Sequence, residues 1–280
     1  FKNQIMILEE KTEKIKSLIR EMDSTLVAFS GGVDSTLVLA LAHEVMGERT
    51  LAVTAQSASV PNREMQASRQ LAKEIGARHL VVRTEEMSNP EYRANPTNRC
   101  YHCKTELYSN LKRVAEQNDI STILNGINLD DLGDYRPGID SAREQGVRSP
   151  LVEAEFSKQD VRDLSRAMGL SIWNKPAMAC LSSRIPYGQP VTAEKLSRVE
   201  QAEDLLLSFG FKQVRVRHLG TKACIELDQN EIPRYQSDES IQRSVQEKLM
   251  ALGFSCVVLD PEGYRMGSLN EALLEHKDHV

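Results

Sequence analysis

No apolar run in this 280-residue chain is long enough to cross a bilayer, so no membrane-spanning helix is expected. The opening stretch, FKNQIMILEEKTEKIKSLIREMD, is charged and amphipathic where a secretion signal is continuously apolar, and the expected location is the cytoplasm. Positive charge is not in excess: 35 Lys and Arg against 40 Asp and Glu leave a formal charge of −5, which argues against a broad nucleic-acid footprint. Internal repeats and low-complexity tracts are absent. Cysteine is too sparse for a disulfide framework; five of them, an odd number in a chain read as cytoplasmic, are thiols or metal ligands first. The remaining composition, 40% apolar and 27% charged, is that of an ordinary globular protein long enough for one large or two unequal domains.

What is present is a regular alternation. Short β-type runs TLVAF (25–29), TLAVT (50–54), HLVVR (79–83) and STILNG (121–126) are separated by helical stretches at 35–46, 62–75 and 101–117, with another at 157–168. Strand followed by helix, repeated, predicts an α/β domain with a doubly wound, mostly parallel sheet and ligands at the carboxyl ends of the strands. Pro61-Asn62 and the capping pair Ser157 and Asp160 mark helix starts, and Gly76 and Gly169 mark ends. The polar segment from Gly126 to Ser149 is too long for a simple connector and is read as a functional loop. After PYGQP (186–190) the pattern becomes helix (192–209), two strands (QVRVRHL, KACIELD), helix (240–252) and strand (SCVVLD). This predicts a smaller α+β domain with an antiparallel sheet, and domains of 1–185 and 186–280.

The heptad Ser30-Gly31-Gly32-Val33-Asp34-Ser35-Thr36 stands at the first strand–helix junction without the lysine of a Gly-Lys-Ser/Thr phosphate loop. Two glycines permit backbone conformations closed to other residues, so successive N–H groups can line an anion nest at a helix start. Ser30, Ser35 and Thr36 add hydroxyls. Asp34 is repelled by phosphate unless a cation bridges them, which implies Mg²⁺. The plain alternative is a connection with a serine cap.

A second constellation is NRCYHCKTELY, with Cys100 and Cys103, joined by the distant Cys180. Cys-x-x-Cys directs two thiolates at one metal or cluster, and three sulfurs leave one position open, as in a [4Fe–4S] cubane with an exposed iron. A redox dithiol, or three unrelated core thiols, are the rival readings; Cys224 and Cys256, inside strands, are read as core thiols.

The heptad resembles the pyrophosphate loop of the N-type (PP-loop) ATP pyrophosphatases, which cleave ATP between the α and β phosphates and adenylate a substrate. A loop that grips departing pyrophosphate has no need of the γ-phosphate lysine. SGGVDST together with DYRPG (134–138), WNKPA (173–177), SSRIPYG (182–188), VRVR (214–217) and IEL (225–227) resembles the LarE family of ATP-dependent sulfur transferases, over nearly the whole chain. That family serves the nickel-pincer nucleotide cofactor of lactate racemase. The resemblance implies an enzyme, a pyridinium-3,5-biscarboxylic acid mononucleotide sulfurtransferase, that adenylates a carboxylate and replaces oxygen with sulfur. One branch of the family sacrifices a cysteine at the place held here by Ala179. Cys100, Cys103 and Cys180 instead look like the three-cysteine branch, in which a cluster carries the transferred sulfide. The resemblance also implies that Ser183, Arg184, Arg215 and Arg217 hold the substrate phosphate and that Glu203 and Glu226 lie near a metal; strand alternation puts Arg215 and Arg217 on one face. Lys104 and Asp131 are further candidates for orienting phosphate and metal.

The implied partners are therefore ATP, Mg²⁺, a [4Fe–4S] cluster, a small mononucleotide and an unidentified sulfur donor, in a homo-oligomer with no membrane and no nucleic acid. The rivals are a cluster-dependent tRNA thiolase, which needs an RNA-binding surface, an ammonia-using ligase, and an ATP sensor that turns nothing over.

Overall fold

The computed structural model describes residues 2–133, 137–176 and 179–265. In chain order the elements are α1 (Lys2–Arg20), β1 (Thr25–Ala28), α2 (Val33–Met46), β2 (Thr50–Gln56), α3 (Asn62–Ile75) and β3 (Arg78–Arg83). Then follow α4 (Pro90–Arg93), α5 (Arg99–Gln117), β4 (Thr122–Leu124), α6 (Pro137–Glu144), α7 (Pro150–Glu153) and α8 (Lys158–Ala167). The last group is α9 (Ala193–Ser208), β5 (Val214–Leu219), β6 (Lys222–Leu227), α10 (Ile232–Ser237), α11 (Glu239–Ala251) and β7 (Cys256–Leu259). Two compact units divide the chain: residues 1–86 with 98–178, and residues 87–97 with 179–280. The expected boundary lay after residue 185; the units divide instead after 178, and the second also takes in the early segment 87–97.

In the first unit β3-β2-β1-β4 form a wholly parallel sheet. Strand alternation sorts the core into two layers. Val27, Ala52 and Leu124 join the helix residues Ile15, Leu37, Leu41, Ala72 and Val161 on one face. Leu26, Leu51, Val53 and Ile123 pack with Tyr108, Leu111 and Ala142 on the other. Helices therefore cover both faces, as the alternating pattern predicts. Ten of the fourteen residues of α2 are buried, so its sequence, apolar nearly all round, reads as an interior helix between α1, α8 and the sheet. The chain moves from β1 outward to β2 and β3, then returns to place β4 on the other side of β1. The crevice at the carboxyl ends of β1 and β4 is thus the topological switch point.

The second unit carries a three-stranded sheet, β5-β6-β7, under α9 and α11. β5 and β6 are antiparallel as expected, but β6 and β7 are parallel, which corrects the expectation of an antiparallel sheet. The reason is connectivity: α10 and α11 intervene between β6 and β7, and a helical crossover returns a strand in the same direction. The segment 87–97 is sewn into this unit by Asn95, whose Nδ2 donates to the carbonyls of Ile185, Pro186 and Gln189 at 3.2, 2.7 and 2.9 Å. Tyr92 Oη meets Ser182 Oγ at 2.6 Å in the same interior.

His218 on β5 is buried, neither ring nitrogen is hydrogen-bonded among the described residues, and its ring lies 5.3 Å from that of Phe254. Burial, reinforced by the charges of Lys195 and Arg198, holds its pKa below the usual histidine value. The unfolded chain therefore binds this proton more tightly, so His218 contributes stability that is complete above about pH 6.5 and is lost as pH falls through its lower folded-state pKa. Urea unfolding followed from about pH 7.5 to about 5 is expected to show falling stability, with a shallower slope in His218→Phe.

Candidate active site

The first turn of α2 begins at Val33, two residues before the helix start expected from the sequence, so Asp34 lies on the helix itself. Its N-cap is Gly32, which offers no side-chain oxygen to the orphan amides. Only Gly31 uses the left-handed region, at φ 72°, while Gly32 is extended at φ −82°; of the two glycines, one carries the conformational requirement. A Cβ on Gly31 would also stand 3.1 Å from Ser68 Cβ of α3. The hydroxyls are organised around this turn: Ser30 Oγ and Ser35 Oγ are 3.1 Å apart, Gly32 N donates to Ser30 Oγ at 3.3 Å, and Thr36 Oγ1 donates to Gly32 O at 2.8 Å. The result is an uncapped helix end ringed by small polar groups, a concave site for an anion.

The crevice wall opposite the loop comes from the end of β4. Gly126 approaches so closely that a Cβ there would lie 2.6 Å from Ser35 N. Beside it Asn125 is buried and among the described residues its Nδ2 has no hydrogen-bond partner, an orphaned donor at the switch point that a bound ligand can satisfy. Neither residue was singled out by sequence reasoning. The asparagine–glycine pair directly after a β-type run was the available signal.

Asp34 is not left facing an anion site alone. Its carboxylate accepts from Asn128 Nδ2 at 2.8 Å and from Lys158 Nζ at 2.5 Å. Asn128 is buried and its Oδ1 accepts from the amides of Asp130 and Asp131, while Asp131 Oδ2 accepts from Asn128 N at 3.2 Å. Asp130 in turn accepts from Lys158 N at the start of α8. The start of the polar segment 126–149 is thus a clamp on Asp34, and Asp131 serves that clamp. Residues 134–136, part of DYRPG, lie outside the described residues, as do Ala177 of WNKPA and Met178. Lys104, on α5, lies 5.9 Å from the ring centroid of Tyr108.

A second lysine reaches the loop from WNKPA. Lys175 Nζ donates to Glu64 Oε2 at 2.7 Å and to Gly31 O at 3.3 Å. Its backbone is pinned to α8, because Arg162 donates to the carbonyls of both Trp173 and Lys175 at 3.2 Å. Lys158 and Lys175 escaped the sequence analysis because neither is near the loop in sequence.

Cys100 and Cys103 stand in the first turns of α5, three residues apart and so on neighbouring positions of one helix face. Cys100 is exposed and Cys103 half-buried; none of the five cysteines is in a disulfide. Among the described residues no group of three or more His, Cys, Asp and Glu side chains is arranged to hold a metal ion. Cys256, expected in a core, is exposed: β7 is an edge strand. Cys224 is half-buried, and desolvation raises its pKa, which keeps it protonated and unreactive.

In the second unit Cys180 caps a short turn formed by Leu181–Arg184, and its carbonyl accepts from Ser183 Oγ and Arg184 Nη1, both at 2.8 Å. Arg184 is fully buried. Its Nε and Nη2 grip Glu203 at 2.7 and 3.1 Å, and Nη1 also reaches Ala179 O at 2.7 Å. Arg217 repeats the pattern, bidentate to Glu226 at 2.7 and 2.8 Å with Nη1 on Ser183 O at 2.7 Å. Glu203 and Glu226 thus serve as carboxylate partners of two arginines. Arg215, two residues from Arg217 on β5, is buried and lies 5.2 Å from the ring centroid of Tyr264. Desolvation first, then the positive charge of Arg184, holds its pKa below the ordinary arginine value. A buried guanidinium that feels neighbouring guanidinium groups gains from a bound dianion.

A family model described as asparagine synthase matches residues 16–100, which include the loop. The chain is 46% identical over 267 residues to the uncharacterized protein slr1717 of Synechocystis sp., covering 95% of this chain and 99% of that one. It is 37% identical over 267 residues to the pyridinium-3,5-bisthiocarboxylic acid mononucleotide synthase of Lactiplantibacillus plantarum, covering 95% and 96%. It is 25% identical over 263 residues to the uncharacterized protein MJ0830 of Methanocaldococcus jannaschii, covering 93% and 99%.

Two variants test this geometry. Gly126→Ala forces the new methyl against the Ser35 backbone, with an expected stability loss of about 1–3 kcal/mol and a matching loss of nucleotide affinity. Glu203→Gln leaves the buried Arg184 charge without its carboxylate, with an expected loss of about 3–5 kcal/mol by denaturant unfolding.

Proposed function

The chain belongs to the LarE family of PP-loop ATP pyrophosphatase-type sulfur transferases, and from that premise we propose that it inserts sulfur into a carboxylate of pyridinium-3,5-dicarboxylate mononucleotide. The observation that carries this reading is the uncapped, hydroxyl-ringed start of α2 in a chain 37% identical, over 95% of its length, to a synthase of the corresponding bisthiocarboxylic acid. The product is a thiocarboxylate for a nickel-pincer nucleotide of the lactate racemase kind.

ATP lies with its phosphates on residues 30–36 and its adenine against the backbone at the carboxyl end of β2, at 52–57. A substrate carboxylate oxygen attacks the α-phosphorus in line. As that bond forms, the bond from the α-phosphorus to the bridging oxygen breaks, and the electron pair leaves on pyrophosphate. Mg²⁺ fits Asp34, whose carboxylate already accepts an ammonium, and would supply charge neutralisation to the phosphates there. The acyl adenylate then presents an activated carbonyl carbon; a carbon–sulfur bond forms as the carbon–oxygen bond to AMP breaks, and the electron pair leaves with AMP. Arg215 and Arg217, with Ser183, hold the substrate phosphate, while Arg184, fully buried on Glu203, braces Ser183 by donating from Nη1 to its Oγ at 2.9 Å.

Three thiolates are a donor set that suits iron. Cys100, Cys103 and Cys180 would hold a [4Fe–4S] cluster, which when bound supplies sulfide as the nucleophile. The support is the three-cysteine pattern, with alanine at the sacrificial position 179. A homo-oligomer in the cytoplasm completes the proposal.

The test is an anaerobic incubation of the mononucleotide with ATP·Mg²⁺ and protein reconstituted with iron and sulfide. Mass spectrometry is expected to show the acceptor exchanging one oxygen for one sulfur, whereas Cys180→Ala releases AMP and pyrophosphate with no sulfur transferred. An acceptor of unchanged mass overturns the sulfur-transfer reading. Equal sulfur gain in Cys180→Ala overturns the three-thiol site.

A further inference from the structure

The phosphate loop has no lysine of its own, yet one arrives 144 residues later in the chain: Lys175 Nζ is 3.3 Å from the carbonyl oxygen of Gly31. We propose that Lys175 supplies, from outside the loop, a cation for the departing pyrophosphate, held by Glu64 until ATP binds and then transferred to the β and γ phosphates. This inference rests on the reading of residues 30–36 as an ATP site.

Three observations carry it. The first is placement. A lysine ammonium beside the one loop residue with positive φ stands at the mouth of an uncapped helix, where anions collect. Its backbone is fixed by the two bonds from Arg162, so the segment delivers the side chain to one place while the four-carbon stem stays free to swing. The second is its incomplete engagement. An ammonium has three N–H donors, and among the described residues Lys175 uses them on two acceptors, Glu64 and Gly31. A third is left for a phosphate oxygen.

The third is the character of its present partner. Glu64 lies in the first turn of α3, where the helix dipole favours negative charge, so its carboxylate keeps a favourable environment when the ammonium leaves. The pair is also partly open to water, with side chains 22% and 15% exposed, so separating it costs less than breaking a fully buried pair. Lys158 differs in its partner: Asp34 belongs to the loop itself, so this ammonium offsets a negative charge that the loop keeps when phosphate arrives. In the adenylation step Lys175 stabilises the charge that develops on pyrophosphate as the bond to the α-phosphorus breaks. It transfers no proton.

The experiment is calorimetric titration of the full chain, without acceptor, using ATP·Mg²⁺, Mg²⁺·pyrophosphate and AMP. In Lys175→Met, ATP and pyrophosphate are expected to bind about 10- to 100-fold more weakly, the size of one charged hydrogen bond, with AMP affinity unchanged. Lys175→Arg is expected to retain most of the ATP affinity. Glu64→Gln, which releases the ammonium, is expected to bind ATP more tightly than wild type. Unchanged ATP affinity in Lys175→Met overturns the inference, as does an equal loss for AMP. A loss of ATP affinity in Glu64→Gln matching that in Lys175→Met also overturns it, since the pair would then be structural. Failure of the wild-type chain to bind ATP at all overturns the inference together with the ATP-site reading beneath it.

Discussion

The backbone amides at the start of α2 have no side-chain cap, and much of the first unit is arranged around that fact. The helix cannot retreat to find one. It is locked between α1, α8 and the sheet by Leu37, Leu39 and Leu41, each with no exposed surface. Rigid burial of the apolar body therefore holds the first-turn amides, which Gly32 cannot cap with a side chain, at the edge of a crevice, where water or an anion can complete them. A loop with a good serine or aspartate cap would be locally more stable and would bind phosphate less well.

The charges around this helix end follow. Asp34 in the first turn suits the dipole but opposes an incoming phosphate, and the structure answers it with Lys158 and Asn128. Glu64 is answered by Lys175 in the same way. Each carboxylate thus arrives with its own cation, so the loop is not an acidic patch although the chain carries net negative charge. The second unit uses the same device in a drier setting. Arg184 and Arg217 are neutralised by Glu203 and Glu226, and their remaining donors tie down the carbonyls of residues 179, 180 and 183. Arg215 carries a charge that burial and its arginine neighbours make costly.

Much of this architecture was legible along the chain. Every strand of both sheets coincides with an apolar or alternating run, and α3 begins and ends where Pro61-Asn62 and Gly76 mark it. Those signals are local: a backbone torsion, a cap or a two-residue period acts within a few residues. What was missed is of another kind. The parallel pairing of β6 with β7, the two-segment composition of the second unit and the partners of Asp34, Glu64 and Arg184 all join residues far apart in sequence.

The amino-acid sequence by itself determined the alternating framework, the SGGVDST turn, the helical spacing of Cys100 and Cys103 and the shared face of Arg215 and Arg217. In each case the spacing of neighbours along a helix or strand is enough to fix the geometry. Only the tertiary structure decided which lysines serve the loop, that Gly126 presses on Ser35, and that Arg184 is buried against Glu203. A charged side chain's role depends on which opposite charge it meets and on how much water is left between them, and both are set by packing.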